Sequence, residues 1–279
     1  MMRAEILLQA LPYIKKYYGK IVVIKYGGHA MSDESQVMKD IFLLRLVGVK
    51  VVLVHGGGPE INELTKKLNK IPEFVDGLRV TDDEMIEIVL MALAGKINKT
   101  LVNLLRLRGA NAVGISGLDG NLIQAEMKND KLGFVGNIKK INPEIILNLL
   151  EKKYIPVISS VAGGLDGDKN IYNINADTAT AHIAGSLNAE RLIMMTDTPG
   201  ILRDKNNFDS LIRELDISEA EELFNNNIIS GGMIPKVQCC IEALNLGVKN
   251  VIIINGKTPH ALLTELLTDE GAGTLIKKG

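Results

Sequence analysis

Two lysines stand where a bare cation is costly, and both adjoin glycines. Lys25 ends the apolar run Ile21–Lys25, directly before Tyr26, Gly27 and Gly28. Lysine is rarely buried fully without a partner. Lys25 therefore either carries its ammonium out to water along its own stem or meets an anion. Lys236 closes the segment Gly231-Gly232-Met233-Ile234-Pro235-Lys236. That spacing puts it in the first turn of a helix, where the macrodipole disfavours positive charge. It reads either as a solvated helix lysine or as a cation offset by a bound anion. Asp177 follows Asn173-Ile174-Asn175-Ala176 at the start of another helix, where acids are common for dipole reasons alone. Arg79, inside Gly77-Leu78-Arg79-Val80-Thr81, reads singly as a solvated loop arginine.

Three turns follow strand-like runs: Lys25-Tyr26-Gly27-Gly28, then Gly56-Gly57-Gly58, then Thr196-Asp197-Thr198-Pro199-Gly200. Glycine after a parallel strand lets backbone N–H groups approach an anion, and a following helix adds positive potential. Ligands of open α/β sheets gather at such strand ends. Any one of these turns could be only a tight connection; two carrying GG or GGG weaken that reading. No GxxxxGK[ST] loop, GxGxxG fingerprint, protein-kinase set or GxSxG elbow is present, so phosphate handling here needs a different arrangement.

Positioning these residues requires alternating elements. Ile6, Leu7, Ala10, Leu11 and Ile14 share one helical face, with Pro12 as a kink point and Gly19 as the stop. Ile21–Lys25 and Lys50–Val54 read as buried parallel strands. Ser32, backed by Asp33 and Glu34, is the expected cap of the helix between them, and Pro59 suits the first turn of the next. Thr81 and Glu84 form a capping-box pair for a helix reaching about Arg108. Gly117–Lys140 reads as hairpin structure turning at Asp119-Gly120, and a second turn is expected at Asp166-Gly167. Further strands are expected at Arg191–Met195, Val251–Ile254 and Thr274–Ile276, interleaved with helices. This order implies an α/β sandwich with a mainly parallel sheet.

The chain has 279 residues, 46% of them hydrophobic, which supports a sizeable core in one large domain or two lobes. With 32 basic and 33 acidic residues, nothing draws the whole chain to nucleic acid or an anionic membrane. Cys239 and Cys240 are adjacent and offer no disulfide framework, which favours a reducing cytoplasm. The four histidines are scattered and give no zinc motif. The first 18 residues lack the apolar core of a signal peptide, and no apolar run approaches a membrane span.

Singly these signals are weak; their joint order is specific. Lys25-Tyr-Gly-Gly, His55-Gly-Gly-Gly-Pro, Gly77-Leu-Arg-Val-Thr, Tyr172-Asn-Ile-Asn-Ala-Asp177, Thr196-Asp-Thr-Pro-Gly and Gly231-Gly-Met-Ile-Pro-Lys236 together resemble the acetylglutamate kinases of the amino acid kinase family. The resemblance runs from about residue 20 to the end. It implies a three-layer αβα sandwich with three parts: a regulatory N-terminal helix (1–18), an acetylglutamate-binding and dimerisation lobe (19–188) and an ATP-binding lobe (189–279). It also implies phosphorylation of N-acetyl-L-glutamate by ATP with Mg2+, an early step of arginine biosynthesis.

In that resemblance Lys25 and Lys236 stabilise the transferred phosphoryl group and Asp177 holds them. Gly57, Gly58, Arg79, Asn173 and Asn175 bind substrate, Arg79 as a fork on a carboxylate. Gly27, Gly28, Thr196, Asp197 and Gly200 serve the nucleotide. No protein-held metal is assigned, Mg2+ riding on the ATP phosphates. The N-terminal helix resembles that of arginine-inhibited members, in which homodimers interlace such helices into homohexamers. Tyr13, His260, Glu270 and Gly273 are then the candidates for the arginine pocket. The competing readings are a sister kinase for another small acid, such as N-acetyl-aminoadipate, and a catalytically silent nucleotide-binding regulator.

Overall fold

The computed structural model describes residues 2–27 and 34–279. The expected caps at Ser32 and Asp33, and Gly28, lie outside them. The strands are β1 (Ile21–Tyr26), β2 (Lys50–His55), β3 (Phe74–Val75), β4 (Leu78–Arg79), β5 (Ala112–Ser116), β6 (Ile123–Met127), β7 (Gly136–Ile141) and β8 (Ile155–Ser159). Then follow β9 (Val161–Gly164), β10 (Ile171–Asn173), β11 (Arg191–Thr196), β12 (Glu214–Asp216), β13 (Asn250–Asn255) and β14 (Gly273–Lys277). The helices are α1 (Met2–Tyr17), α2 (Glu34–Leu46), α3 (Gly58–Lys67), α4 (Asp83–Leu90), α5 (Asn98–Arg106) and α6 (Glu144–Glu151). They continue with α7 (Ala176–Ser186), α8 (Ile217–Asn225), α9 (Met233–Asn245) and α10 (Ala261–Leu267).

Eight strands form one sheet in the order β12-β14-β13-β11-β1-β2-β8-β5. Pairing is parallel from β5 to β13; β14 then runs antiparallel to β13 and parallel to β12. Alternate strand residues face opposite helical layers, as the period of two dictates. Val23, Val52, Val54 and Met194 pack toward α6–α9, whereas Val22, Ile24, Leu53 and Ile193 pack toward α2, α5 and α10. Burial on both faces is why these strands read as unbroken apolar runs. The result is the expected three-layer αβα sandwich.

Two local expectations shift and a third holds. The helix after β4 is capped by Asp82, whose carboxylate accepts from the Met85 N–H at 2.8 Å, and not by Thr81. Asp119-Gly120 lies in a short 3-10 turn between β5 and β6, while the true hairpin, β6 with β7, is joined by residues 128–135. The Asp119 carboxylate is committed to the Ser116 N–H and hydroxyl instead. The Asp166-Gly167 turn forms as expected, both residues having positive φ, and joins β9 to β10.

Asp83–Arg106 forms the long helix expected to reach about Arg108; its 24 residues are long and apolar enough to match a membrane span, against the expectation that no apolar run approaches one. Its apolar stripe (Met85, Ile88, Leu93, Ile97, Leu101, Leu105) is buried in the core instead. A π turn at Met91–Ile97 interrupts it, and such turns commonly sit at functional sites.

Candidate active site

The last turns of β1, β2 and β11 open at the same end of the sheet, where α7 and α9 begin. Lys25, 8% exposed, sits on β1 with its Nζ 2.8 Å from Asp177 Oδ1. Lys236, in the first turn of α9, reaches Asp177 Oδ2 at 3.6 Å. One carboxylate therefore bridges two ammonium groups drawn from distant parts of the chain. Burial alone would raise the Asp177 carboxyl, but the charges of Lys25 and Lys236 outweigh it and hold the group below the usual carboxylate range. Asp177 is ionised at neutral pH and is shared by two lysines, of which Lys236 lines the larger of the two cavities beside it. Asn175 caps α7, its side-chain oxygen accepting from the N–H groups of Asp177 and Thr178, which fixes where Asp177 points.

A cavity of about 180 Å³ lies on one side of this cluster, lined by Gly56, Gly57, Gly58, Arg79, Asn173 and Asn175, among others. Gly57 caps α3, so the positive end of that helix opens into the cavity. A Cβ on Gly57 would fall 2.0 Å from Ile97 Cδ1 and 2.8 Å from Leu93 Cδ2, both presented by the π turn. Arg79 is 8% exposed. One Nη donates to Asn62 Oδ1 at 2.6 Å, and the guanidinium lies 4.8 Å from the centre of the Phe74 ring. Its Nη1 is buried with no hydrogen-bond partner, and it has no acidic partner among the described residues. Burial lowers its pKa, as for a cation that lacks an anion.

Beneath the glycines lies a buried polar pin. The His55 Nδ1–H donates to the Gly56 carbonyl at 3.0 Å, so the ring's Nε2 is left to accept from Asn98 Nδ2 at 3.2 Å. The same Asn98 amide reaches the carbonyls of Ile115 and Val157, tying β2, β5 and β8 together. His55 is wholly buried, and burial above all pushes its pKa down to about 4, so the ring stays neutral.

On the other side of the lysine cluster is a cavity of about 460 Å³, lined by Lys236, Asp197, Gly200, Ile229 and Met233, with Phe208 at its mouth. Thr196 does not line it. Its hydroxyl turns back to the Thr198 carbonyl and N–H, shaping the turn instead. Gly27 lines neither cavity; a Cβ there would stand 3.3 Å from the Gly56 N. Asn62, Phe74 and Asn98 do not stand out in the sequence, nor do the apolar residues Ile201, Phe208 and Ile229, and His55 appears there only as the first residue of a glycine block, with no role. For Ile229 the available signal is the apolar pair Ile228-Ile229 just before Gly231-Gly232; Ile201 and Phe208 have no such signal.

A third cavity, of about 420 Å³, holds Tyr13, Glu270 and Gly273 together with Arg191, Arg213 and Glu265. His260 is not among them. Its backbone is left-handed (φ 56) at the start of α10, and its Nδ1 donates to the buried Asp40 carboxylate at 2.7 Å. The structure thus separates His260 from the other three effector candidates.

The amino acid kinase family model matches residues 20–255, which spans β1 to β13. The chain belongs to the amino acid kinase family. Within this family it is 51% identical to the acetylglutamate kinase of Petrotoga mobilis, across 99% of this chain and 93% of that one. It is 53% identical to the acetylglutamate kinase of Synechococcus sp., across 98% and 88%. Among solved structures it is similar to N-acetylglutamate synthase from Neisseria gonorrhoeae, complexed with coenzyme A and N-acetyl-glutamate. That match has a TM-score of 0.86 and 26% identity, over 99% of this chain. This chain spans 63% of that longer protein. The carbamate kinase of Giardia lamblia bound to AMP-PNP shares the fold, with a TM-score of 0.69 at 22% identity, over 94% and 99%. The amino acid kinase sheet thus supplies the frame on which this chain's two lysines and three cavities are arranged.

Proposed function

We propose that this chain moves the γ-phosphate of ATP onto the side-chain carboxylate of N-acetyl-L-glutamate, giving ADP and N-acetyl-L-glutamyl 5-phosphate in arginine biosynthesis. The observation that carries this is the Asp177-bridged lysine pair between two cavities, one of which holds a buried arginine with an unpaired Nη1. The full-length relatives named above support the choice of acid.

The acceptor is already a carboxylate, so no general base is required. The task is to bring two anions together and hold them in line. Arg79 takes the substrate's other carboxylate through Nη1, and Asn62 and Phe74 hold the fork in place. The N–H groups at the start of α3 face the acceptor end. Lys25 and Lys236 neutralise charge on the phosphoryl group from two sides, and Asp177 keeps both ammonium groups from swinging away. Asn173 lines the acceptor cavity and donates to the Thr81 hydroxyl at 3.2 Å, so it acts as part of the cavity wall. The larger cavity takes the nucleotide, its apolar side chains facing the base. Among the described residues no group of three or more His, Cys, Asp or Glu converges on a metal-sized site. Mg2+ enters with ATP as part of the substrate.

A coupled ADP-release assay over N-acetylglutamate, glutamate, N-acetylaspartate, N-acetyl-aminoadipate and carbamate tests this reading. Turnover with N-acetylglutamate at least tenfold above the others is expected; none with it would overturn the reading, and preference for another acid would favour a sister kinase.

A second reading concerns the third cavity. It carries both carboxylates (Glu265, Glu270) and guanidinium groups (Arg191, Arg213), a lining suited to a zwitterionic amino acid with a cationic side chain. The effector is arginine. Leu8 and Leu11 are exposed on α1, which supports helices interlacing homodimers into a homohexamer. Sedimentation and activity with and without arginine, before and after deletion of residues 1–18, test this; inhibition that survives the deletion would count against it.

A further inference from the structure

The wall of the larger cavity is fixed from behind by one hydroxyl. Thr274, on β14, has no exposed surface. Its Oγ1 accepts from the Ile201 N–H at 2.9 Å and donates to the Ile212 carbonyl at 2.6 Å. Ile212 N–H in turn donates to the Ile201 carbonyl, and Leu202 and Leu211 bridge the same two segments. Residues 200–212 thus form an arch whose two legs meet at Thr274. Gly200, Ile201, Leu202, Lys205 and Phe208 of this arch line the cavity.

The fit is close. Gly200 has φ +151, and a Cβ there would lie 2.4 Å from Thr274 Oγ1, so the hydroxyl rests directly against its backbone. Replacing Thr274 by the isosteric valine would keep the volume but strand the Ile201 N–H and the Ile212 carbonyl, both in buried residues. An unmet buried donor or acceptor is costly, so the arch would move to find partners. The sheet itself would survive, because β14 pairs with β13 and β12 through backbone groups.

We propose that Thr274 is a positioning residue of the nucleotide site: its hydroxyl sets the place of the 200–212 arch, and the arch sets the fit of the base-binding end of the cavity. This rests on the reading that the larger cavity receives ATP. The base faces Ile201, Leu202, Ile229 and Met233, with Phe208, 72% exposed, free to stack on its open face.

The test is steady-state kinetics of the full chain with Thr274→Val, Thr274→Ser and Phe208→Ala, alongside thermal melts. For Thr274→Val the KM for ATP is expected to rise about tenfold, while the KM for N-acetylglutamate and kcat stay within about twofold. Thr274→Ser, which keeps the hydroxyl, returns the ATP KM to within about threefold of the parent. Should Thr274→Val fail to fold, Thr274→Cys decides, since its weaker donor gives an intermediate ATP KM if the proposal holds and a parental one if it does not. A folded Thr274→Val with parental ATP KM, or with both KM values rising together as Tm falls, overturns the proposal. If Phe208→Ala raises the ATP KM and Thr274→Val does not, only the role of Thr274 fails. If neither does, the nucleotide assignment of the cavity falls with it.

Discussion

Lys25 Nζ and Asp177 Oδ1 lie 2.8 Å apart across the junction between the end of β1 and the first turn of α7. The contact unites a buried central strand of the sheet with the helix whose first residue lines the acceptor cavity. It also leaves the second carboxylate oxygen for Lys236. The lysines therefore share a single counter-charge, and in the proposed reaction an incoming phosphate would supply the charge that is missing. Removing either lysine, as Lys25→Ala or Lys236→Ala, should lower kcat by about 10²–10³, in line with loss of one preformed electrostatic donor. Kinetics at saturating ATP and N-acetylglutamate check this; an effect confined to KM would assign the residue to binding alone.

Arg79→Lys keeps the charge but gives up the planar fork and the stacking on Phe74. The KM for N-acetylglutamate should rise about 10- to 100-fold, the loss of one charge-assisted hydrogen bond. The KM for ATP should not move. Isothermal titration with each ligand separately checks the asymmetry, and equal losses for both ligands would refute a carboxylate-specific role.

Gly57 has extended backbone (φ 172), so its need for glycine is one of space rather than of conformation. Gly57→Ala pushes a methyl against Ile97 and Leu93, both buried and fixed by the π turn. A stability loss of about 1–3 kcal/mol is expected, typical of overpacking. Ile97→Val in the same chain should recover part of it, which urea unfolding of the single and double variants would measure.

His55 links stability to pH. Its folded pKa of about 4 lies below the ordinary value of 6.5, so between these the unfolded chain binds the extra proton. The stabilisation from the neutral ring is complete above about pH 6.5 and is lost as pH falls toward 4. The span corresponds to about 3 kcal/mol. Urea unfolding of the parent and of His55→Gln from pH 7.5 to 4.5 isolates it: the parent should show the steeper decline, and parallel curves would rule the linkage out.

Much of this was legible in the sequence because it rests on local signals. The buried strands declare themselves by apolar runs, and Lys25, Asp177 and Lys236 stand beside turns or helix starts that have their own residue signatures. What escaped notice depends on partners distant in sequence. Asn98 reads as an ordinary helix residue, since its acceptors are backbone carbonyls on β5 and β8 and the π turn shifts its phase. Thr274 reads as a β-branched strand residue whose hydroxyl has no visible purpose. His260 lies near Glu270 and Gly273 in the chain, yet a left-handed backbone turns its ring toward Asp40 on α2. The turn that holds Thr196 points to the nucleotide, whereas its hydroxyl is spent within that turn.

β1 lies between β2, which follows it closely in the chain, and β11, which comes from the far half. During synthesis one edge of this largely apolar strand must therefore wait, unpaired, until the ribosome has delivered residues past 190. An open apolar edge is the usual starting point for pairing with the wrong chain. The strand that carries Lys25 is thus also where the nascent protein is most vulnerable, and chaperone demand should fall sharply once β11 has emerged.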